Sequence, residues 1–145
     1  MEELVDSHER DLNPFEIVVI SLKRTSSEYP LQVALPAVMT EIGQPNAKQR
    51  KIGNTLFSVL MGKNGQAFFK AFNADTPANF IENSKEFCFW AKDDLGLNML
   101  VTEFTDPTIS KLFHIIAKNP PLPRMGFKEY KMSSGETRIV LNLGE

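Results

Sequence analysis

Cysteine, histidine and glycine are all scarce in this chain of 145 residues, and each scarcity removes a class of chemistry. The single cysteine, Cys88, cannot close an internal disulfide, which fits a reducing compartment and makes the cytoplasm the expected location. Two histidines, His8 and His114, give no ligand spacing for a zinc centre. The eight glycines form no Gly-Lys-Ser/Thr phosphate loop, no Gly-x-Ser-x-Gly elbow and no dinucleotide fingerprint. Excess charge is lacking too. With 16 Lys and Arg against 18 Asp and Glu, the net charge of -2 provides no overall pull toward nucleic acid. Lys48, Arg50 and Lys51 do cluster, but three cations in a polar loop read as a solvated surface before they read as a phosphate site. No apolar run approaches the roughly 18 to 20 residues that span a bilayer. Met1 to Arg10 carries acids where a secretory signal would carry an apolar core.

What is present is an ordinary globular mixture, 42% hydrophobic and 23% charged, with 11 phenylalanines available for an aromatic core. A chain of this size sustains one domain without metals or disulfides. Residues 2 to 10 read as a short helix inside an N-terminal extension, 1–13, ahead of a domain over 14–145. Asn13-Pro14 breaks that helix, because the residue before proline is pushed out of helical space. Phe15 to Leu22 reads as a strand covered on both faces, with the β-branched run Ile17-Val18-Val19-Ile20 at its centre. Leu31 to Ile42 has helical spacing closed by Gly43, and residues 44 to 54 are ambiguous. Two apolar stretches, Leu56 to Met61 and Ala67 to Phe72, flank Lys63-Asn64-Gly65-Gln66, and Asn-Gly predicts a hairpin.

Asp75-Thr76-Pro77 supplies an N-cap and then a proline at the first helical position, where its missing N–H costs nothing. The helix so started runs over 77–95, with Phe80, Ser84, Phe87, Cys88 and Ala91 on one face and Gly96 as its stop. Met99 to Phe104 is a short strand. Thr105-Asp106-Pro107 then opens a second capped helix, whose buried stripe is Ile109, Leu112, Phe113 and Ile116. Gly126 to Met132 and Glu136 to Leu143 alternate around Ser133-Ser134-Gly135 as a closing hairpin.

This order, with the last helix running into Met125-Gly126-Phe127-Lys128-Glu129-Tyr130 and then Arg138-Ile139-Val140-Leu141, resembles the GNAT acyltransferase fold over residues 15 to 143. The resemblance implies one α/β domain with a twisted, mostly antiparallel sheet, helices on both faces and a C-terminal β-hairpin. It also implies a loop of the form Gln/Arg-x-x-Gly-x-Gly/Ala that holds the coenzyme A pyrophosphate on backbone N–H groups at a helix start. In that place stands Phe72-Asn73-Ala74-Asp75-Thr76-Pro77-Ala78-Asn79, which has no glycine. Pro77 removes a donor and Asp75 adds a negative charge; Asn73, Ala74, Asp75 and Thr76 are the candidate cofactor contacts. Arg50-Lys51-Ile52-Gly53-Asn54-Thr55 has better residues for an anion but leads into a hairpin. The family's general acid on the last helix falls on His114, after Phe113. Glu103, ending the strand 99–104, stands where a base could deprotonate an amine.

The glycine-free loop points to a non-enzymatic interaction or assembly protein without a cofactor. Phe87, Phe89 and Trp90 cannot all be buried by one helix face, so the expected partner is another protein or a second copy of the chain. The small, Phe-rich, acidic chain also looks similar to GNAT-like accessory and internal virion proteins of tailed phages, located in the host cytoplasm or the virion. The alternative is a divergent acyl-CoA-dependent N-acyltransferase using acetyl coenzyme A, with Glu103 as base, His114 as acid and residues 73–79 around the cofactor. Neither reading calls for a metal, a nucleic acid or a membrane.

Overall fold

Asn13-Pro14 starts a helix instead of breaking one. In the computed structural model, which describes residues 11–25, 31–104 and 107–144, the Asn13 side chain accepts from the Glu16 N–H at 2.8 Å. Glu16 reciprocates by accepting from the Asn13 N–H at 3.1 Å, which closes a capping box with Pro14 at the first helical position. Helix α1 (Pro14–Thr25) therefore replaces the strand expected over Phe15 to Leu22. Its β-branched residues are spaced for burial on a helix: Ile17, Val18 and Ser21 point inward, while Phe15 stays 53% exposed. The helix expected over residues 2 to 10 lies outside the described residues. Leu12 is buried and donates its N–H to Asn54, so packing begins ahead of the boundary drawn at residue 13.

Helix α2 (Leu31–Ile42) tolerates Pro36 inside it, with the Thr40 hydroxyl donating to the Pro36 carbonyl. A meander follows: β1 (Ala47–Ile52), β2 (Thr55–Met61) and β3 (Gln66–Asn73). The β2–β3 turn is the expected Asn-Gly pair, with Asn64 at φ 60° and Gly65 at φ 75°, as a type I′ turn requires. Then come α3 (Pro77–Asp93), β4 (Met99–Phe104), α4 (Pro107–Lys118) and the hairpin of β5 (Gly126–Lys131) with β6 (Thr137–Asn142). The strands form one six-stranded sheet in the order β1-β2-β3-β4-β6-β5. Every pairing is antiparallel except β3 with β4.

Each face of this sheet carries a pair of helices. On one, Ile17 and Val18 of α1 pack with Leu56, Phe72 and Ala74, flanked by Leu35 and Val38 of α2. On the other, the predicted face of α3 meets Phe57, Val59 and Phe69, while α4 brings Phe113 and Ile116. Phe87 stacks on Phe57 with ring centroids 4.2 Å apart, and Phe69 lies tilted against it at 5.2 Å. The cationic cluster is absorbed by packing: Arg50 lies over the Trp90 ring at 5.8 Å and Lys51 pairs with Asp11. Of the aromatic set on α3, Phe87 is buried and Phe89 is 44% exposed. Among the described residues no helix is long and apolar enough to cross a membrane.

Truncating the ring at the centre of this packing removes its contacts with Phe57, Phe69 and Trp90 and leaves a void. Phe87→Ala should cost about 3 to 5 kcal/mol in urea denaturation. A loss under about 1 kcal/mol would mean that α3 does not lean on the sheet through this residue.

Candidate functional site

Strands β3 and β4 run together for only three pairs, Gln66 with Met99, Ala67 with Leu100 and Phe68 with Val101. Beyond these they separate, so their facing backbone edges, from Phe69 and from Thr102 onward, have no partner strand across the gap. A cavity of about 260 Å³ opens there. Phe69 and Phe72 of β3, Phe80 of α3 and Phe113 of α4 wall it, with Thr102, Glu103 and Phe104 along β4. A second cavity, of about 280 Å³, shares Phe69, Lys70 and Glu103 with the first and reaches Ser58, Glu41 and Glu136. Glu103 therefore borders both spaces.

The Glu103 carboxylate is half-buried and held across the sheet by its register partner on β6. Arg138 donates from Nε at 2.6 Å and from Nη2 at 2.5 Å to the same oxygen. Thr102 lies on the opposite face of β4, in the inward register of Leu100 and Phe104, and is 7% exposed. This residue was missed from sequence, although a hydroxyl at a core position of an alternating strand was the available signal.

His114 is not brought to Glu103. It sits on the outer side of α4, more than half exposed, with Nε2 3.2 Å from Glu129 and its ring 5.5 Å from Phe127. Its neighbour Phe113 is the residue of that turn that lines the cavity. The Ser110 hydroxyl donates to the other Glu129 oxygen at 2.6 Å, and this bond, aided by His114 and Lys131, draws the Glu129 carboxyl below its ordinary range despite partial desolvation. The group ties α4 to β5 and borders neither cavity.

Asn73, Ala74, Asp75 and Thr76 join β3 to α3 at the open end of the gap. Thr76 is the N-cap, its hydroxyl accepting from the Asn79 N–H at 3.2 Å. Asp75 does not cap the helix and does not face outward. It is 4% exposed, and one carboxylate oxygen accepts from the Asn54 N–H at 2.8 Å and from the Asn83 amide at 2.9 Å. That approach needs Gly53, at φ +57°, because a Cβ there would lie 2.9 Å from the Asn83 nitrogen and 3.0 Å from Asp75. The run Arg50 to Thr55 is thus a turn that receives Asp75. Arg24, at the end of α1, donates to the carbonyls of Asn73, Ala74 and Asp75 at 2.9–3.3 Å, placing a cation against this loop. Cys88 lies buried in the core, where desolvation pushes its thiol up to about 12 and removes it as a nucleophile. Among the described residues no three His, Cys, Asp or Glu side chains gather as a metal site.

Two consequences can be measured. Asp75→Ala strands the buried Asn54 N–H and leaves the part-buried Asn83 amide only its bond to Thr55, and should cost about 3 kcal/mol, whereas Thr76→Ala should cost only about 1 kcal/mol; equal costs in urea denaturation would contradict the buried role of Asp75. For Glu129, a folded-state pKa held below the unfolded one contributes stability that is full at neutral pH. That contribution is lost as pH falls below the ordinary carboxylate value of 4.5 and through the lower folded-state value. Glu129→Gln should flatten this acid limb of a stability-against-pH curve and lower stability at pH 7; an unchanged limb would mean that the Ser110 and His114 contacts carry no such linkage.

No protein-family profile and no curated protein sequence matches the chain. Solved structures do. A point mutant of the spermidine N-acetyltransferase SpeG of Vibrio cholerae superposes with a TM-score of 0.59 at 11% identity, covering 92% of this chain and 94% of that one. The N-acetyltransferase PseH of Campylobacter jejuni gives 0.56 at 14% identity with the same coverage. PseH in complex with acetyl coenzyme A gives 0.54 at 15%, again over 92% and 94%. These likenesses establish the GNAT-like fold expected from sequence. They also correct the expectation of a non-enzymatic interaction protein, since the solved structures that share this fold are N-acetyltransferases, one of them in complex with acetyl coenzyme A; the tailed-phage context finds no support in them.

Proposed function

We propose that this chain is an acyl-CoA-dependent N-acyltransferase. The observation that carries the reading is the cavity between the parted ends of β3 and β4, in a fold shared with N-acetyltransferases. The residues present fit an acyl-CoA arm. The free backbone edges of β3 and β4 can pair with its amide groups, and the rings of Phe69, Phe80 and Phe113 cover its apolar length. At the open end, Arg24 supplies positive charge beside the glycine-free loop, and Asp75 has turned its carboxylate inward, away from an anion. The complex of PseH with acetyl coenzyme A supports the same donor here.

Acetyl coenzyme A supplies an activated thioester. In the transfer, a nitrogen–carbon bond to the acyl group forms, the carbon–sulfur bond breaks with its electron pair going to sulfur, and the nitrogen sheds a proton. Glu103 is positioned to take that proton, because it borders both cavities and the Arg138 pair fixes its orientation. The cavity reaching Ser58 and Glu136 is the side from which the amine approaches. His114, on the far side of α4, takes no part in this scheme.

Acetyl coenzyme A at about 100 times its dissociation constant should stabilise the chain by about 2.7 kcal/mol and raise its melting temperature accordingly. Glu103→Gln should keep that shift while lowering acyl transfer to a panel of primary amines about 100-fold or more. Absence of any shift at millimolar acetyl coenzyme A removes the reading; full activity in Glu103→Gln removes the residue from it.

A further inference from the structure

We infer that Lys70 is a site of self-acylation, at which the acyl group of a bound donor passes to the Lys70 amine of the same chain. This rests on the acyltransferase reading above and adds to it an acceptor that the protein itself carries. The residues that border both cavities are Phe69, Lys70 and Glu103. One is a ring of the wall, one is the carboxylate placed to take a proton, and the remaining one is a primary amine. No other lysine among the described residues lines either space.

The strand register accounts for this meeting. β3 and β4 last pair at Phe68 with Val101, and two residues further along each strand stand Lys70 and Glu103. Residues two apart in a strand share a face, so both groups lie on the same face of the sheet, opposite one another across the gap. In a continuous sheet such opposite charges would pair. Here each is drawn to its own side: Lys70 Nζ donates to Glu41 of α2 at 2.8 Å, and Arg138 of β6 holds Glu103. The side chains of Lys70 and Glu41 are 53% and 38% exposed, and an exposed ion pair restrains a long side chain only weakly. Lys70 can therefore leave Glu41 and turn over the gap.

In the transfer, the Lys70 ammonium gives a proton to Glu103, which releases it to solvent. The Nζ lone pair then bonds to the acyl carbon, and the carbon–sulfur bond breaks with its electron pair going to sulfur. The second proton passes from nitrogen through Glu103 to the thiolate, leaving an acylated lysine and the free thiol of coenzyme A. Nothing is oxidised or reduced. Acylation removes the charge of Lys70, and Glu41 loses this partner on the wall of the amine-side cavity.

Incubating the purified chain with acetyl coenzyme A and no added amine, followed by peptide mass mapping, tests the inference. Lys70 should be acetylated about 100-fold faster than Lys48 or Lys63, which are exposed and line neither cavity. Glu103→Gln should slow the modification of Lys70 about 100-fold while the slow chemical background at Lys48 and Lys63 stays as it was. The fraction modified at a given time should not depend on protein concentration, as transfer within one molecule requires. Lys70→Arg keeps a cation for Glu41, and its intact mass should rise only at the background rate. Modification of Lys70 no faster than that of Lys48 and Lys63, an equal Lys70 rate in Glu103→Gln, or a rate that climbs with protein concentration overturns the inference. A chain with any of these results that still acylates added primary amines leaves the acyltransferase reading standing. A chain that shows no thermal shift with acetyl coenzyme A and acylates no added amine overturns both.

Discussion

Two parallel strands that separate after three residue pairs determine how the rest of the molecule must be built. A parted sheet leaves backbone donors and acceptors facing a gap, and such groups are expensive to bury without partners. The gap therefore has to be walled by side chains large enough to bridge it, while its polar edges stay reachable. Phenylalanine supplies the walls. Phe69 reaches Phe113 across the space with ring centroids 6.2 Å apart, and Phe113 continues to Phe104 at 5.9 Å, so rings from β3, α4 and β4 form one connected layer.

Separation of this kind is stable only if each strand is secured on its other side. β3 pairs with β2 out to Asn73, beyond the point where it leaves β4, and β4 pairs with β6 out to Phe104. At the open end the same frame is clamped by polar contacts. Asp75 joins the β1–β2 turn to α3 through Asn54 and Asn83, and Arg24 ties α1 to the carbonyls of the β3–α3 loop. Neither half of the sheet needs the other to define the gap, and so the cavity can stand open in the free protein. Arg138 works in the same way on Glu103, holding a carboxylate at the mouth with a partner from the strand behind it.

The parts of this arrangement that were legible in the sequence are those set by near neighbours. Asn64-Gly65 specified its turn, Thr76-Pro77 its helix start, and the spacing of Phe80, Ser84, Phe87, Cys88 and Ala91 the face that α3 buries. α1 was misread because the composition of Ile17 to Ile20 outweighed a local signal that was present, the Asn-Pro-Phe-Glu capping box. What could not be read is what depends on distant pairing. The parallel contact of β3 with β4 is fixed by the whole sheet, and the turning inward of Asp75 depends on a turn 21 residues earlier. His114 fell at a family position by spacing, yet Glu129, 15 residues on, holds it at the outer side of α4. Glu103 was read as lying near the end of its strand, as it does, while the pairing with Arg138 that orients it came only with the sheet order.

The same distant contacts change the weight of the loop that argued against coenzyme binding. Three features stood against it: a missing glycine, a proline at the helix start and an aspartate beside it. The structure removes the third, because the carboxylate is spent on Asn54 and Asn83 and shielded from the helix terminus. It offsets the second, since the position Pro77 occupies is one whose N–H has no helical partner in any case, and the Arg24 cation stands against the adjoining carbonyls. The first remains: without glycine, backbone cannot approach a diphosphate as closely. On the acyltransferase reading, donor recognition therefore moves along the ligand, away from the charged end and toward the arm between β3 and β4, where the free strand edges and the aromatic walls are concentrated.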